Sequence, residues 1–402
     1  MTAVATSPAA PLGAGLAATF GSPAQASVSL SRLTLTDYRN YTTLRLDVDP
    51  RPVVMTGPNG AGKTNLIEAI SLLNPGRGLR RAVLAEVTRH GAAGGFGIAA
   101  RLATPTGDLD LGTGITPATA SEPERRLVRI NGANAAGPSL LAEHLSLVWL
   151  TPAMDRLFVE AASERRRFLD RLVHGVDPGH ARRVSAYEKA MRERSRLLRE
   201  GRNDPRWLAA LEETMAGHGI AIAAARRDLI ARLDAALALG SSVFPTADLT
   251  IDGLIEGWLA ECTAVEAEDR FRARLAANRG RDAEAGAATA GPHKSDLQAR
   301  HVQRDMPAAL CSTGEQKAIL IAIVLANAKI IAARRAQAPI LLLDELVAHL
   351  DRVRRQALFD EIAALRAQAW MTGTDQSLFD DWGDRAQFLA VLGGEVVVDR
   401  KP

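Results

Sequence analysis

Gly57-Pro58-Asn59-Gly60-Ala61-Gly62-Lys63-Thr64 decides how this chain is read. The octapeptide fits G-x-x-x-x-G-K-[ST], a loop whose glycines let the backbone wrap until its N–H groups point at phosphate oxygens. In such a loop Lys63 reaches the β- and γ-phosphates, and Thr64 offers its hydroxyl to Mg²⁺. The flanks agree. Arg51-Pro52-Val53-Val54-Met55-Thr56 reads as a short buried strand, and Asn65-Leu66-Ile67-Glu68-Ala69-Ile70 reads as a helix. That order sets the positive end of a helix dipole beneath the anion. The ordinary alternative is a glycine-rich turn before a helix, with no ligand.

The whole chain limits what such a loop can serve. Its 402 residues suffice for two or three domains and a sizeable core. Two cysteines, Cys262 and Cys311, argue against a disulfide framework or a zinc site, which leads us to expect the reducing cytoplasm. Residues 1–26 are rich in Ala, Ser, Pro and Gly and carry no charged side chain, so they are expected to form a disordered tail, not a signal or transit peptide. No uninterrupted apolar run is long enough to span a membrane. Net charge is only +3, yet the stretch from Arg156 to Arg206 carries 14 Lys/Arg against 8 Asp/Glu. Lysines number six against 43 arginines, a ratio that a GC-rich genome explains, and two of the six, Lys63 and Lys317, fall inside the ATPase motifs.

Alternation of apolar and polar residues predicts strands over Ser27 to Leu35 and Leu44 to Val48, with Asp37-Tyr38-Arg39-Asn40 between them. Phe96 to Leu102 and Arg126 to Ile130 read as further strands, and Asn131-Gly132 as a turn. From about Asp155 the pattern turns helical. Val184, Tyr187, Met191 and Leu198 share a helical face; Trp207 to Met215 predicts a second helix and Ile220 to Leu239 a third. This stretch carries almost no strand signal, and Gly175, Pro178, Gly201 and Pro205 interrupt it. Gly280 to Gly291 reads as a loop of small residues, Thr313 to Arg335 as a long helix, and Pro339 to Asp344 as a buried parallel strand. The expected fold class is α/β: residues 27–152 and 286–402 form the two parts of a P-loop ATPase lobe, with a mostly helical lobe, 153–285, inserted between them.

Two further motifs complete the chemistry. Asp344-Glu345 ends the apolar strand, where ligands sit in open α/β sheets. Asp344 suits the Mg²⁺ shell, and Glu345 is placed to orient or deprotonate an attacking water, so Glu345 and the phosphate-reaching Lys63 are the candidate catalytic residues. Ser312-Thr313-Gly314-Glu315-Gln316-Lys317 opens a long helix with Ser312 as N-cap, leaving N–H groups for an anion. A plain capping box with Glu315 at N3 is the bland alternative. The order of phosphate loop, small-Gly-Glu helix start and apolar-Asp-Glu is the layout of ABC-type ATPases. In that layout the serine helix of one subunit caps the γ-phosphate held by another, which requires a head-to-tail C₂ dimer around two ATP molecules. Asp351, six residues beyond Glu345, takes the place of the loop that crosses the dimer interface.

These residues resemble those of the RecF family, relatives of the SMC-type ATPases, over about residues 28–400. The resemblance rests on Leu33 to Tyr41, Gly62 to Ile70, Ser163-Glu164-Arg165-Arg166-Arg167-Phe168-Leu169-Asp170, Gly291-Pro292-His293-Lys294-Ser295-Asp296-Leu297, the Ser312 motif and Leu342 to Asp351. Three features depart from it. Cys311 stands where leucine is usual, Glu345 where many relatives carry Asp, and no switch histidine is evident. Thr372-Gly373-Thr374-Asp375 occupies that place, so the γ-phosphate sensor is expected to be Thr372 or Thr374. The resemblance implies a DNA-binding, ATP-dependent homodimer with weak ATPase activity. It further implies recognition of gapped DNA or single-/double-strand junctions, and assistance to RecR and RecO in loading RecA.

Counterion exchange with phosphate makes Arg165, Arg166 and Arg167, and also Arg77, Arg80, Arg81 and Arg89, candidates for DNA contact. Solvated ion pairs with Glu160, Glu164 and Asp170 are the alternative for the first three. Asp37 to Tyr41 is expected, by family analogy, to touch adenine or ribose, or else to form a turn. His293 and Lys294 are expected at DNA or between lobes. Two other readings stay open: a transport ATPase subunit, which would show no salt-sensitive DNA binding, and a P-loop kinase of small molecules.

Overall fold

Ser29–Tyr38 forms β1, and its alternation of buried and outward residues continues through a tight turn into β2 (Tyr41–Asp47). The computed structural model describes residues 26–92, 94–116, 125–201, 204–240 and 243–398; the expected tail falls outside these apart from residue 26. β3 (Val53–Thr56) leads through the glycine loop into α1 (Lys63–Ser71). Next come β4 (Gly97–Thr104), β5 (Gly107–Thr116), β6 (Arg125–Ile130) and β7 (Leu147–Leu150). The helical stretch holds α2 (Ala162–Val176), α3 (His180–Arg199) and α4 (Pro205–Ala238). β8 (Ala247–Asp252), α5 (Leu254–Glu261), α6 (Ala264–Ala277), α7 (Arg279–Ala285) and β9 (Asp296–His301) follow. The chain ends with α8 (Thr313–Arg335), β10 (Ile340–Leu343), α9 (Arg352–Ala364), β11 (Ala369–Gly373), β12 (Gln387–Leu392) and β13 (Glu395–Val398).

The central sheet runs β13-β12-β3-β11-β10-β7. It is parallel except where β13 pairs antiparallel with β12. Because side chains alternate along a strand, each face builds its own core. Val54, Val148, Leu341, Leu343 and Met371 pack on α8 and the helical stretch. Val53, Met55, Trp149, Leu342 and Trp370 pack on α1 and a second, antiparallel sheet that begins β2-β1-β4-β5-β6. α8 is apolar all round because neighbours cover every side. It is 23 residues long, and an 18-residue window within it reaches a mean hydropathy of 1.7, long and apolar enough to cross a membrane, yet 89% of that window lies buried within the protein.

Several expectations are corrected here. The two helices expected within 207–239 are one, α4, of 34 residues. Pro205 does not interrupt it but occupies its first turn, where no N–H is needed, and Asp204 caps it by accepting from Arg206 and Trp207 N–H. Gly219 lies inside that helix because a Cβ there would meet Phe271 of α6 at 2.8 Å. The helical stretch also contains a strand: β8 pairs antiparallel with β9, joining residues on either side of the expected boundary at 285. The loop expected over 280–291 begins as α7. β5 and β7, not anticipated, complete the two large sheets.

The helical stretch closes around a buried ion network. Arg194 of α3 donates to Glu212 at 3.0 Å, to Asp282 at 2.7 Å and to the Leu275 carbonyl at 2.7 Å, and Arg279 forks onto Glu212. Removing one member of such a buried set costs about 3–5 kcal/mol, because its partners stay behind uncompensated.

Candidate functional site

The phosphate loop joins β3 to α1 at the carboxyl edge of the parallel sheet, and two of its glycines have no substitute. Gly57 has φ +145°, and a Cβ there would meet the Val391 carbonyl oxygen at 2.2 Å. Gly62 has φ +114°, and its Cβ would meet Tyr41 Oη at 2.5 Å. Both conformations lie in the region L side chains avoid. Pro58, Asn59 and Gly60 stand exposed at the tip, while Ala61, Gly62 and Lys63 are buried. Gly62 caps α1 without any side chain, so the first N–H groups of that helix keep their capacity for an anion. The Lys63 ammonium arches back and donates to the Gly57 carbonyl at 2.6 Å and the Pro58 carbonyl at 2.9 Å. Burial lowers its pKa, against the raising influence of Glu345 and Asp344.

Three side chains and one backbone N–H converge beside it. Thr64 Oγ1 donates to Asp344 Oδ1 at 3.0 Å, and Thr372 Oγ1 donates to the same oxygen at 2.8 Å. The Glu345 N–H in turn donates to Thr372 Oγ1 at 2.9 Å. β11, which ends in Thr372-Gly373, lies between β3 and β10 in the sheet, so its threonine bridges the strand ends that carry loop and acids. Glu345 itself sits at φ 51°, a left-handed backbone that turns the chain sharply off β10. Backbone strain of this kind concentrates at functional sites. Thr372 is buried whereas Thr374 is exposed, which separates the two threonines that the sequence leaves equivalent. The Thr64 hydroxyl and the Asp344 carboxylate are hard oxygen donors within hydrogen-bond distance of each other, so they fit an ion such as Mg²⁺, which takes one or two carboxylate or hydroxyl ligands beside substrate phosphates.

Asp37 to Tyr41 braces the loop from behind. Tyr41 Oη donates to the Gly62 carbonyl at 3.1 Å, and Asn40 Nδ2 to the Ala61 carbonyl at 3.5 Å. Asn65 Nδ2 donates to Asn40 Oδ1 at 2.8 Å. Arg39 forks onto buried Glu68 of α1 at 2.9 and 2.7 Å. Burial, reinforced by Glu68, raises the Tyr38 hydroxyl well above its usual pKa. Arg39 is thus committed to α1, and Asn40 and Tyr41 to the loop, while the Tyr38 hydroxyl is buried without a hydrogen-bond partner among the described residues.

Ser312 caps α8 in a full capping box: its N–H and hydroxyl reach Glu315 Oε2 at 3.0 and 2.9 Å. Ser312, Thr313 and Gly314 are nonetheless exposed. Among the described residues no hydrogen bond or ion pair joins Ser312 or Gly314 to the phosphate loop. Lys317, one turn on, is buried and pairs with Asp155 at 3.0 Å, so it is a structural cation. Asp351 is exposed and caps α9 through the Arg354 N–H. Leu310 and Val353, next to these two caps, are 70% and 66% exposed.

The basic run on α2 is turned largely inward. Arg165 forks onto Asp296 of β9 at 2.7 Å twice and also holds the Phe158 and Glu160 carbonyls. Arg166 donates to the Ser295 carbonyl at 2.7 Å, and Arg167 pairs with Glu164. Arg165 and Arg166, both half-buried, therefore tie α2 to β9. Arg89 pairs with Asp37 at 2.8 Å, Arg80 with Asn65 and Glu68, and Arg81 with Glu164 at 3.2 Å. Arg77 is exposed. His293 Nε2 donates to the Ala288 carbonyl at 2.9 Å and its Nδ1 bonds Tyr187 Oη at 2.7 Å, closing the β9 approach as a structural turn. Asp170, in the same motif, is pushed up by burial, but Arg226 beside it and hydrogen bonds from His180 and Arg226 bring it down to about 2.

Comparison with known proteins follows the same line. A family model described as RecF/RecN/SMC N terminal domain matches residues 29–389. The DNA replication and repair protein RecF of Rhizobium johnstonii is 53% identical over 371 residues, 92% of this chain and 98% of that protein. The protein of that name from Rhizobium meliloti is 51% identical over 371 residues, with the same coverage. A solved structure of the recombination mediator protein RecF with ATP, in the RecFOR pathway, has a TM-score of 0.79 at 20% identity, covering 93% of this chain and 100% of the other. An Smc head domain derived from Pyrococcus furiosus, bound to the C-terminal domain of ScpA, has a TM-score of 0.50 at 15% identity, covering 92% and 96%. At these identities the structural likenesses speak for the fold, an ABC-type ATPase head; the sequence matches speak for descent. The chain belongs to the RecF family.

Proposed function

We propose that this protein is an ATP-gated, DNA-binding homodimer of replication and recombinational gap repair. The observation that carries it is the split between two half-sites. Lys63, Thr64, Asp344, Glu345 and Thr372 gather at one set of strand ends, while the exposed caps Ser312 and Asp351, beside the exposed Leu310 and Val353, belong to other turns of the same chain. Two half-sites on different turns of one chain are completed when a second copy meets the first head to tail.

In this reading the loop from Gly57 to Asn65 holds ATP, and Thr64 with Asp344 holds Mg²⁺, which offsets phosphate charge when bound. Lys63 turns from its own loop carbonyls to the phosphates. Glu345 orients or deprotonates the attacking water, and Thr372 fixes both acids relative to the loop. The Ser312 and Gly314 turn of the partner subunit lids the γ-phosphate, and the exposed Thr374 takes the sensor position. ATP is then a switch whose contacts favour the closed dimer on duplex DNA or at a gap, and slow hydrolysis releases it. Support for gapped or junction DNA, for RecR and RecO as partners in loading RecA, and for a cytoplasmic setting comes from the relatives' naming as DNA replication and repair proteins and from the RecFOR context of the structural match.

Analytical ultracentrifugation with and without ATP-Mg²⁺, repeated with gapped and blunt duplex DNA, tests the reading. The protein should dimerise only with ATP and should prefer gapped DNA. Lys63→Met should lose both the dimer and DNA retention. A wild-type protein that stays monomeric at saturating ATP would overturn the proposal, as would DNA binding that is insensitive to salt.

A further inference from the structure

A cavity of about 620 Å³ opens at the candidate hydrolysis centre and extends beyond the nucleotide motifs. Thr64, Asp344 and Glu345 lie among its lining, as do the bases Arg80, Arg81, Arg167 and Arg171 and the acids Glu160 and Glu164. Arg81 and Arg167 both pair with Glu164, and Arg80 is occupied by Asn65 and Glu68. Arg171 differs. Its guanidinium lies 4.7 Å from the centroid of Trp149 and 5.3 Å from that of Phe168. Its one hydrogen-bond acceptor among the described residues is the Met154 sulfur at 3.4 Å. A thioether is a weak acceptor, and a guanidinium carries five N–H donors.

The position argues against a purely structural cation. Trp149 is the penultimate residue of β7, which neighbours the strand carrying Asp344 and Glu345. Stacking on an aromatic face fixes the fork without using its donors, as at sites that read phosphate. Burial and the nearby positive charge of Arg81 lower the Arg171 pKa to about 9, so the group remains a cation at neutral pH but an under-compensated one. An anion beside Arg171 would supply the acceptor that its guanidinium lacks. The anion produced at the candidate hydrolysis centre is phosphate.

We propose that this cavity receives the inorganic phosphate cleaved from ATP, with Arg171 as its main donor. It rests on the ATPase reading above. Phosphate leaves the Glu345 side, is held by the guanidinium of Arg171, and exits past the Arg81–Glu164–Arg167 ion pairs. Holding the product within reach keeps the closed dimer from opening until phosphate departs, which makes product release a timing step.

The test uses the full chain without nucleotide. Phenylglyoxal modification of Arg171, followed by peptide mass spectrometry, should slow about tenfold with inorganic phosphate at ten times its Kd, while Arg192 on α3 should be unaffected. Chloride at equal ionic strength should give no protection. In a tryptophan-fluorescence titration Arg171→Met should weaken phosphate binding at least about tenfold, and Arg171→Lys should fall between. If Arg171 is modified equally fast with and without phosphate, the pocket is refuted, whether or not the variants fold. Arg171→Met binding phosphate like the wild type would also refute it. Intact ATP hydrolysis with no phosphate protection rejects the pocket and keeps the ATPase reading. Protection without any ATP hydrolysis rejects phosphate as a product and leaves an anion site.

Discussion

Thr372 shows how much a single hydroxyl can organise. It donates to Asp344 and accepts from the Glu345 N–H, so both acids take their positions from a residue outside their own motif. Thr372→Val keeps the shape and removes both bonds. ATP binding should change little, while turnover should fall about 10- to 100-fold, as when groups supporting a metal ligand are removed. Filter binding and steady-state phosphate release separate the two effects; unaltered turnover would remove Thr372 from this role. Asp170 makes a pH-dependent contribution to stability. Its folded pKa, about 2, lies below the ordinary carboxylate value, so its stabilisation is complete above about pH 4 and disappears as pH falls towards 2. Urea unfolding should show the wild type losing about 2 kcal/mol more than Asp170→Asn across that window. At pH 7 the same variant should be less stable by about 3 kcal/mol, because Arg226 is left buried without its partner.

At the scale of elements, α8 does two jobs at its two ends. Its body is core, covered on all sides, and its first turn is solvent-exposed with a complete capping box. Rigid burial of the body holds the exposed cap in one orientation, which is what a lid for a partner's nucleotide requires. Ser312→Arg should leave α8 folded and ATP binding intact while abolishing ATP-dependent dimerisation, read by light scattering alongside a nucleotide-binding assay. A normal dimer would show that this turn is not at the interface. α2 illustrates the converse. Its arginines look like a nucleic-acid stripe in sequence, but two of the three meet the carboxylate and carbonyl of residues 295–296, far away in the chain. Sequence proximity to Glu160 and Glu164 named the wrong partners for Arg165 and Arg166.

At the scale of the whole molecule, the proposed cycle links hydrolysis to dimer opening through Glu345. Glu345→Gln retains the volume and the N–H bond to Thr372 but loses the carboxylate, so ATP should bind and remain. The dimer should then accumulate and persist on gapped DNA, with dissociation slowed at least about tenfold. Sedimentation of the variant with saturating ATP-Mg²⁺ tests this; a monomer would contradict closure by ATP.

Local sequence sufficed for the phosphate loop, the acids ending β10, the capped start of α8 and most strands around them. Each of these is set by short-range constraints: glycine geometry, side-chain alternation and capping chemistry act within a few residues. Tertiary structure alone revealed that α4 is one helix, that β8 pairs with β9, and that Arg39, Asn40 and Tyr41 brace the loop and α1. It alone distinguished Thr372 from Thr374, and found Arg171 stacked on Trp149 beside the acids. These facts depend on contacts between residues tens to hundreds of positions apart, and an arginine or threonine looks the same in sequence whether its partner is a solvated neighbour or a buried carboxylate across the sheet.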